Sequence, residues 1–469
     1  MIEMTLAEIA AAVGGAVTDA AQSQRLVSGQ AFVDSRQVEA GGLFVAVVGD
    51  SLDGHDFAAS AVAQGASAAL VERRVDVPAV LVPNTVSALG LLARHVLSRL
   101  PALRVVGITG SQGKTGTKDI LAQLLERRGP TVAPVGSLNT EIGAPLTALR
   151  VTDGTRYLIV EMGARGRGHI SYLASLVQPS VGVVLNVGLA HLGEFGTQRD
   201  IASTKGELVE SLPSDGLAVL NADDPLVRGM RGRTSATVVT FGQSSGADVR
   251  LSAVRLDDDG KACFALTVDG VTAQVGLPLV GEHQAMNAAA AAAVACETGM
   301  SVDEVATALS QVRSRSPWRM EVTTTRSGVT VINDAYNANP DSMRAALATL
   351  AEIGSRRKAT ARTFAVLGEM LELGEAAPAE HEALGRLVAR LDISSLVVVG
   401  DAARPLHVGA TSDDRWRGDA VCVADSATAV EFLQGALRSG DVVLVKASRA
   451  AGLETVAAAL GWDATEAGR

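Results

Sequence analysis

The fold of this chain is decided by the stretch Val105-Val106-Gly107-Ile108-Thr109-Gly110-Ser111-Gln112-Gly113-Lys114-Thr115. A short apolar strand leads into a glycine-rich turn, and Lys-Thr then begins a segment with the apolar spacing of a helix. Glycines allow positive φ and bring backbone N–H groups close to phosphate oxygens, and a helix start adds unpaired N–H donors and a favourable dipole. In that arrangement Lys114 would reach the terminal phosphates and the Thr115 hydroxyl would bind Mg²⁺. The stretch therefore predicts a nucleotide phosphate site.

The spacing of this loop is tighter than the usual phosphate-loop pattern. That pattern would place a glycine at position 108, where Ile108 stands. A bare Gly-x-x-Gly-Lys-Thr occurs by chance in a chain with 48 glycines. The strand before it and the helix after it nevertheless favour phosphate binding over an incidental loop.

Composition sets the class of protein. At 469 residues, with 47% hydrophobic and 20% charged residues, the chain is expected to form about three soluble globular domains. A net charge of −10 without a basic cluster argues against nucleic acid as a partner, and 3% aromatic residues leave few platforms for stacking bases. No apolar run approaches the ~20 residues of a membrane span. The N-terminal residues lack a basic region followed by an apolar core, so we expect a cytoplasmic protein.

The three cysteines do not suggest a metal site. Cys263, Cys296 and Cys422 lie far apart, and two of them fall in apolar runs. We expect buried thiols in a reducing compartment.

The order of apolar segments predicts three units, at residues 1–98, 99–316 and 317–469. Near-continuous Val/Ile/Leu runs are typical of parallel strands buried on both faces, so both larger units are expected to be α/β with doubly wound parallel sheets. The first unit is expected to be a smaller α/β domain. A stretch with more alternation, Asp248–Val275, predicts an antiparallel ribbon.

Three polar side chains follow predicted strands of the central unit. Glu161 ends the run Leu158-Ile159-Val160, His191 comes shortly after the strand that ends at Asn186, and Lys205 is expected at a helix start. A carboxylate at a strand end beside a phosphate loop is a natural Mg²⁺ ligand, because Mg²⁺ prefers oxygen donors shared with phosphate. Taken alone, His191 is ambiguous, since a lone histidine is more often structural or simply exposed, and Lys205 is an ordinary solvated lysine.

Together these residues resemble the ATP-dependent Mur ligases of peptidoglycan synthesis, over essentially the whole chain. The loop Thr109–Thr115 is similar to the phosphate loop of that family. Further segments that carry the resemblance are 33–36, 138–145, 160–163, 186–191, 332–343, 367–374 and 446–449. The resemblance implies an amide-forming enzyme with a UDP-binding domain, a central ATP-binding domain and a C-terminal Rossmann-like domain that binds the incoming amine.

The resemblance also implies roles for particular residues. Those implied to be catalytic are Lys114, Glu161, His191 and Lys205. Those implied to bind ATP are Gly110, Ser111, Gln112, Gly113, Lys114, Thr115, Gly116, Asn287, Arg319 and Asp334, the last three through its adenine and ribose. Those implied to bind substrate are Ser35, Arg36, Asn139, Thr140, Asn337 and Asn339. The implied Mg²⁺ ligands are Thr115, Glu161, His191 and Lys205, the last as a carbamate.

The segment Ile332–Met343 indicates which amide bond is formed. Its Asn-Asp-Ala-Tyr-Asn-Ala-Asn-Pro run is similar to that of the branch that joins D-alanyl-D-alanine to UDP-N-acetylmuramoyl-tripeptide. The branch that adds the third, diamino, amino acid would show an Ala-His-Thr-Pro type segment, and folylpolyglutamate synthetases would show Gly-Ala-His-Asn-Pro. We expect a monomer that acts through an acyl phosphate.

Alternatives from other classes stay open on sequence alone. A phosphate-loop switch or motor would usually carry the strict loop pattern and an Asp at the position of Glu161. A catalytically silent nucleotide-binding homologue would lack one of the implied catalytic residues. Within the ligases, the alternative is the enzyme that adds the third amino acid.

Two residues depart from the pattern of the family. Gly116 stands where a Thr or Ser is more usual, and His169 takes a place that is more often acidic. Both departures concern fine contacts rather than the reaction.

Overall fold

The computed structural model describes residues 1–49, 51–188, 197–357 and 361–461. The first unit holds a five-stranded sheet in the order β2-β7-β6-β5-β4 and a two-stranded pair, β1 and β3. Its strands are β1 (Met4–Thr5), β2 (Ala16–Val17), β3 (Leu26–Val27), β4 (Ala31–Phe32), β5 (Leu43–Val45), β6 (Ala68–Val71) and β7 (Ala79–Leu81). Its helices are α1 (Leu6–Val13), α2 (Ala58–Ala63) and α3 (Thr85–Ser98), with 3₁₀ turns at Ala20–Gln22 and Gly54–Phe57.

The central unit is built on a nine-stranded sheet in the order β16-β15-β14-β13-β12-β11-β8-β10-β9. Its strands are β8 (Arg104–Thr109), β9 (Thr131–Val132), β10 (Tyr157–Glu161), β11 (Val181–Val184), β12 (Leu217–Asn221), β13 (Thr237–Gly242), β14 (Val249–Leu256), β15 (Lys261–Val268) and β16 (Val271–Val280). Its described helices are α4 (Lys114–Glu126), α5 (Gly143–Ala148), α6 (His169–Val177), α7 (Gln198–Glu210), α8 (Pro225–Arg228), α9 (His283–Glu297) and α10 (Val302–Leu309), with a 3₁₀ turn at Gly229–Arg233.

The C-terminal unit holds a six-stranded sheet in the order β17-β18-β22-β19-β20-β21. Its strands are β17 (Glu321–Thr324), β18 (Thr330–Asn333), β19 (Thr363–Leu367), β20 (Ser395–Val399), β21 (Asp419–Val423) and β22 (Val442–Lys446). Its described helices are α11 (Pro340–Arg356), α12 (Ala377–Arg390), α13 (Pro405–Thr411), α14 (Ser426–Ala436) and α15 (Glu454–Ala459), with 3₁₀ turns at Gly374–Ala376, Asp401–Ala403 and Arg449–Ala451.

The strand directions confirm the α/β prediction for both larger units. Strands β8 to β14 pair in parallel, and β18 to β22 do the same, while β17 is an antiparallel edge strand. The predicted antiparallel ribbon is formed by β14, β15 and β16. Because the central strands are covered by helices on both faces, their side chains are almost wholly buried.

Two local predictions differ from the structure. Lys205 does not lie at a helix start, because α7 begins at Gln198, where the Thr197 hydroxyl accepts a hydrogen bond from the Asp200 backbone N–H at 3.2 Å. The expectation of buried thiols is wrong, since Cys263 and Cys296 are half-buried and Cys422 is exposed. Cys422 lies on β21, an edge strand with an open face.

A short linker (residues 313–316) joins the central and C-terminal units along one side of α4. Gln123 exchanges two hydrogen bonds with the backbone of Arg313, at 2.9 and 3.0 Å. Arg315 pairs with Glu126 at 2.6 Å, and the buried Lys118 ammonium donates to the Ser316 hydroxyl at 3.3 Å. The helix that begins at the phosphate loop therefore holds the connection between the two units. No described helix is long and apolar enough to cross a membrane.

In the C-terminal unit, α12 and α13 approach closely enough that their backbones touch. A Cβ on Gly385 would clash with the Leu406 carbonyl oxygen and would lie 2.7 Å from the Ala410 nitrogen. Helix α12 also carries His381, whose Nε2 accepts a hydrogen bond from the Met370 N–H at 2.9 Å. The helix pair thus supports the loop after β19.

We expect Gly385→Ala to lower the free energy of unfolding by about 1–3 kcal/mol, because the added methyl group forces the two helices apart. Gly435→Ala is the matched control: Gly435 lies in α14, with nothing within 4 Å of an added Cβ. Relief of the glycine entropy cost should then raise stability by about 0.5–1 kcal/mol. Urea unfolding of the full chain measures both. Equal changes of the same sign in the unfolding free energy of the two variants would contradict the close contact between α12 and α13.

Candidate active site

A cavity of about 640 Å³ lies between the central and C-terminal units. The segments that follow β8 and β10 line it on one side, and those that follow β18, β19 and β22 line it on the other. The carboxyl ends of two parallel sheets therefore face each other across the cavity, in the position where open α/β sheets bind ligands.

The phosphate loop has the geometry expected for an anion site. Gly113 has a φ of 82°, a left-handed conformation that turns the backbone into the first turn of α4. Lys114 Nζ donates to the Gly110 carbonyl oxygen at 2.7 Å and so folds back over the loop. Burial lowers the pKa of Lys114, while nearby Glu161 acts in the opposite direction. Both charge and loop geometry are thus in place for phosphate.

A set of oxygen atoms lies beside Lys114. Glu161 at the end of β10 is buried, and its carboxylate accepts from the Thr115 hydroxyl at 2.9 Å and from Asn139 Nδ2 at 2.8 Å. The hydroxyls of Thr115 and Ser137 lie 2.9 Å apart. In the described part of the chain no three acidic, histidine or cysteine side chains form a metal cluster. One carboxylate with two hydroxyls fits an ion such as Mg²⁺ that completes its ligands with phosphate.

Lys205 lines the same cavity from the middle of α7. It is 7% exposed, and within the described ranges its ammonium has no carboxylate partner. Burial, followed by the charge of Lys114, sets the pKa of Lys205 well below its usual value. The structure therefore brings Lys205 to the site as a buried amine rather than as the ordinary solvated lysine that the residue alone suggests. His191 lies outside the described residues.

Helix α9 packs against the first turn of α4 through Asn287. Asn287 is buried, accepts from the Thr117 hydroxyl at 3.3 Å and donates to Gln284 Oε1 at 2.9 Å. A Cβ on Gly116 would lie 2.9 Å from Asn287 Nδ2. The absence of a side chain at Gly116 is therefore explained by the close approach of α9. Asn287 both packs inside the unit and lines the cavity.

The C-terminal side of the cavity is anchored by a buried ion pair. Lys446, at the end of β22, lies 2.6 Å from the Asp334 carboxylate, just beyond β18, and both side chains are at most 10% exposed. Lys446 also donates to the Asn337 carbonyl oxygen at 2.8 Å, and Asp334 accepts from the Met320 N–H at 3.0 Å. Burial lowers the pKa of Lys446, and the charge of Asp334 opposes this shift. The pair joins β18, β22 and the segment before β17.

Arg319 reaches across the cavity to the central unit. Its Nη2 donates to the Ser137 hydroxyl at 3.1 Å and lies 3.4 Å from the Thr115 hydroxyl. The residues on either side, Trp318 and Met320, have φ values of 60° and 48°. A left-handed conformation of such residues costs about 1–3 kcal/mol each. Contacts such as the Trp318 N–H to Glu321, at 2.9 Å, hold this turn.

Two arginines and two aromatic rings form a row along the C-terminal side. Arg319 Cζ lies 4.1 Å from the centre of the Tyr336 ring, and Arg449 Cζ lies 4.3 Å from that of Trp318. The two rings are 6.5 Å apart. We call these four residues the cation–aromatic row. The sequence patterns assigned no site role to Trp318, Tyr336, Arg449 or Ser137. The chain has only three Trp and three Tyr, so Trp318 and Tyr336, 18 positions apart, were an available signal.

The predicted substrate-binding residues fall in two places. Asn139, Thr140, Asn337 and Asn339 line the cavity. Asn339 also caps α11 by accepting from the Ser342 N–H at 2.9 Å, and Asn337 accepts from the Ala338 N–H. His169 lines the cavity as well. Ser35 and Arg36 lie in the first unit and do not line it, and the exposed Arg36 pairs with Asp34 at 2.8 Å.

Three protein-family models match the chain. The Mur ligase family catalytic domain matches residues 32–97, the Mur ligase middle domain matches 108–295, and the Mur ligase glutamate ligase domain matches 318–449. These matches, with a phosphate-loop sheet that faces a second α/β sheet across a charged cavity, identify an ATP-dependent ligase of three units. The chain belongs to the Mur ligase family. The predicted resemblance is confirmed, and the switch or motor alternative is excluded.

Individual proteins of the family are similar over the full length. The UDP-N-acetylmuramoyl-tripeptide–D-alanyl-D-alanine ligase of Mycobacterium tuberculosis is 49% identical, over 99% of each chain. A crystal structure of MurF from Acinetobacter baumannii has a TM-score of 0.87 at 32% identity and covers 98% of both chains. MurF from Thermotoga maritima in complex with ADP has a TM-score of 0.79 at 32% identity and covers 93% of this chain and 97% of that one.

We expect Lys446→Met to lower the free energy of unfolding by about 3–5 kcal/mol, because it leaves the Asp334 carboxylate buried and unpaired. The double variant with Asp334→Asn should recover much of this loss, since neither charge then remains. Urea unfolding of both single variants and the double variant measures the coupling. Lys261→Met, at a half-buried lysine that pairs with Asp259, is the control. If the loss of unfolding free energy in the double variant equals the sum of the losses in the two single variants, a direct interaction between Lys446 and Asp334 is contradicted.

Proposed function

We propose that this chain joins D-alanyl-D-alanine to UDP-N-acetylmuramoyl-tripeptide by an amide bond and converts ATP to ADP and phosphate in peptidoglycan precursor synthesis. The observation that carries the proposal is one cavity in which Lys114, Thr115 and Glu161 face residues of the segment 334–339. Lys114, Thr115 and Glu161 suit a phosphate with its metal ion. The facing segment belongs to residues 332–343, whose sequence indicates which amine the enzyme adds. Full-length relatives named for this reaction support it.

The units divide the substrates between them in this proposal. Residues 1–98 bind the uridine diphosphate part through Ser35 and Arg36, residues 99–316 bind ATP, and residues 317–469 bind the dipeptide. Asn139 and Thr140 contact the tripeptide. We assign the enzyme to the cytoplasm and to a monomeric state.

ATP would lie along the phosphate loop from Gly110 to Gly116. Asn287, on α9, and Asp334, beyond β18, would contact the adenosine part. Because Arg319 Nη2 lies 3.4 Å from the Thr115 hydroxyl, this arginine is best placed at the terminal phosphates. Its charge then offsets the negative charge that builds up during phosphoryl transfer.

Thr115, Glu161, His191 and Lys205 would hold Mg²⁺, with Lys205 as a carbamate. Reaction of the neutral amine with carbon dioxide gives a carbamate and a proton, which turns a buried cation into an oxygen donor. Burial favours the neutral amine of Lys205, which is the form that reacts. Bound Mg²⁺ supplies positive charge that neutralises the phosphate oxygens.

The reaction needs positioning rather than protein nucleophiles. A carboxylate of the tripeptide attacks the γ-phosphorus of ATP, ADP leaves, and an acyl phosphate is formed. The dipeptide amine then attacks the acyl carbon, and phosphate leaves from the tetrahedral intermediate. Lys114 and Arg319 hold the charge of the transferred group, and the two facing units exclude the water that would hydrolyse the acyl phosphate.

Two alternatives differ in what they require. The ligase that adds the third amino acid would take a UDP-linked dipeptide and a diamino acid. A silent homologue would bind nucleotide without turnover, but Lys114, Thr115, Glu161 and Lys205 are all present at the cavity.

Phosphate release from ATP tests the proposal directly. We expect release only when UDP-N-acetylmuramoyl-tripeptide and D-alanyl-D-alanine are both present, because each completes one half of the reaction. Release that instead requires a UDP-linked dipeptide and a diamino acid would assign the preceding step. Nucleotide binding with no acceptor-dependent release would identify a silent homologue.

We expect Lys114→Ala to reduce turnover by at least about 10³-fold, because a charge that stabilises the transferred phosphoryl group is lost. The fold should stay intact, since Lys114 Nζ contacts only a loop carbonyl oxygen in the described structure. Lys261→Ala is the matched control, because Lys261 is a half-buried lysine of the ribbon that lies outside the cavity. The assay is acceptor-dependent phosphate release, with circular dichroism for the fold. Substantial residual turnover would refute the assigned role.

A further inference from the structure

The incoming dipeptide carries a terminal carboxylate that must enter the cavity with its amine. A carboxylate removed from water is costly unless a cation with hydrogen-bond donors receives it. An extended chain advances about 3.3–3.6 Å per residue, so the carboxylate falls about 7 Å from the attacking amine. Since the proposed function assigns the dipeptide to residues 317–469, a cation on the C-terminal side of the cavity, at about this distance from the amine, is suited to receive the carboxylate.

Most cations that line the cavity are engaged elsewhere. Lys114 and Lys205 belong to the phosphate side, and Arg319 reaches Ser137 and Thr115. Lys446 is buried against Asp334. Arg449 remains on the C-terminal side, with about half of its side chain exposed.

The guanidinium of Arg449 is fixed on two sides. It pairs with Glu454 at 2.5 Å, and its Cζ stacks 4.3 Å from the Trp318 ring centre. Its backbone starts a 3₁₀ turn just after Ser448, whose N–H donates to the Glu369 carbonyl oxygen at 3.0 Å. The pair uses one donor of the guanidinium, and an arginine has five, so a fork remains for a carboxylate.

We propose that Arg449 binds the C-terminal carboxylate of the incoming dipeptide and so selects a dipeptide acceptor over a single amino acid. The inference rests on the proposed function. Glu454 and Trp318 hold the guanidinium in place on the C-terminal side of the cavity, so an acceptor bound there must span from Arg449 to the acyl phosphate. The carboxylate of a single amino acid lies about 3.5 Å closer to its amine, so it would fall short of the Arg449 guanidinium when the amine is in place.

Comparison of the dipeptide with its C-terminal amide tests this role. The amide keeps the attacking amine and both methyl groups but has no negative charge. With full-length enzyme and saturating ATP and UDP-tripeptide, we expect the wild type to prefer the acid by about 10- to 100-fold in kcat/KM, the range for a charge-assisted hydrogen bond. Arg449→Gln should lower this preference to within about threefold by raising KM for the acid alone.

Three further variants sharpen the result. Arg449→Lys keeps the charge without the fork, and should retain part of the preference. Arg415→Gln, at an exposed arginine paired with Asp413, is the matched control and should keep the wild-type preference. Arg165→Gln removes the exposed cation on the opposite side of the cavity. If Arg165→Gln abolishes the preference for the acid over the amide while Arg449→Gln keeps it, the proposal is overturned.

The test of Arg449 and the test of the proposed ligase function can fail independently of each other. Dipeptide-dependent phosphate release by the wild type supports the ligase function whatever Arg449 does. Equal kcat/KM for acid and amide in the wild type would refute carboxylate recognition while leaving that function standing. A loss of turnover in Arg449→Gln that is equal for acid and amide would indicate a structural role and would overturn the inference.

Discussion

Mutual repulsion of buried cations is the constraint on which this structure depends. A site for nucleotide phosphates needs several positive groups in a closed cavity, and those groups destabilise one another until an anion arrives. Burial lowers the pKa of both Lys114 and Lys205, and the charge of Lys114 lowers that of Lys205 further. The chain as a whole carries a net charge of −10, so the positive region is a local property of the cavity.

The architecture satisfies this constraint by dividing the cations between two sheets. Lys114 is offset by Glu161 in the central unit, and Lys446 by Asp334 in the C-terminal unit. Arg319 is shared: it belongs to the C-terminal unit, lies over Tyr336 and donates to Ser137 in the central unit. Since the two halves each hold part of the charge, the complete set exists only where the units meet.

The sequence predicts best where a structural rule is local. Glycines before Lys114 and an acid after an apolar strand are local patterns, so the phosphate loop and the placement of Glu161 at a strand end followed from sequence. The start of α7 at Gln198 was missed, although Thr197 and Asp200 form a local Thr-x-x-Asp capping pattern. The cation–aromatic row could not be predicted in this way, because Arg449 meets Trp318 only after the whole C-terminal sheet has folded. Likewise, Gly116 is explained only by the distant Asn287, and the exposure of Cys422 depends on β21 lying at an edge.

The attachment of the linker to α4 has a mechanical consequence. Lys118, Gln123 and Glu126 hold residues 313–316 along the same helix whose first turn carries Lys114 and Thr115. Along the chain, the first residues between the two units that are not held against α4 are those beyond Ser316, in the turn that contains Trp318 and Met320. Arg319 lies in this turn, so a rotation of the C-terminal unit about it would move the guanidinium only a short distance. Arg319 would therefore stay near the phosphate loop, while parts of the C-terminal unit far from this turn would move much further.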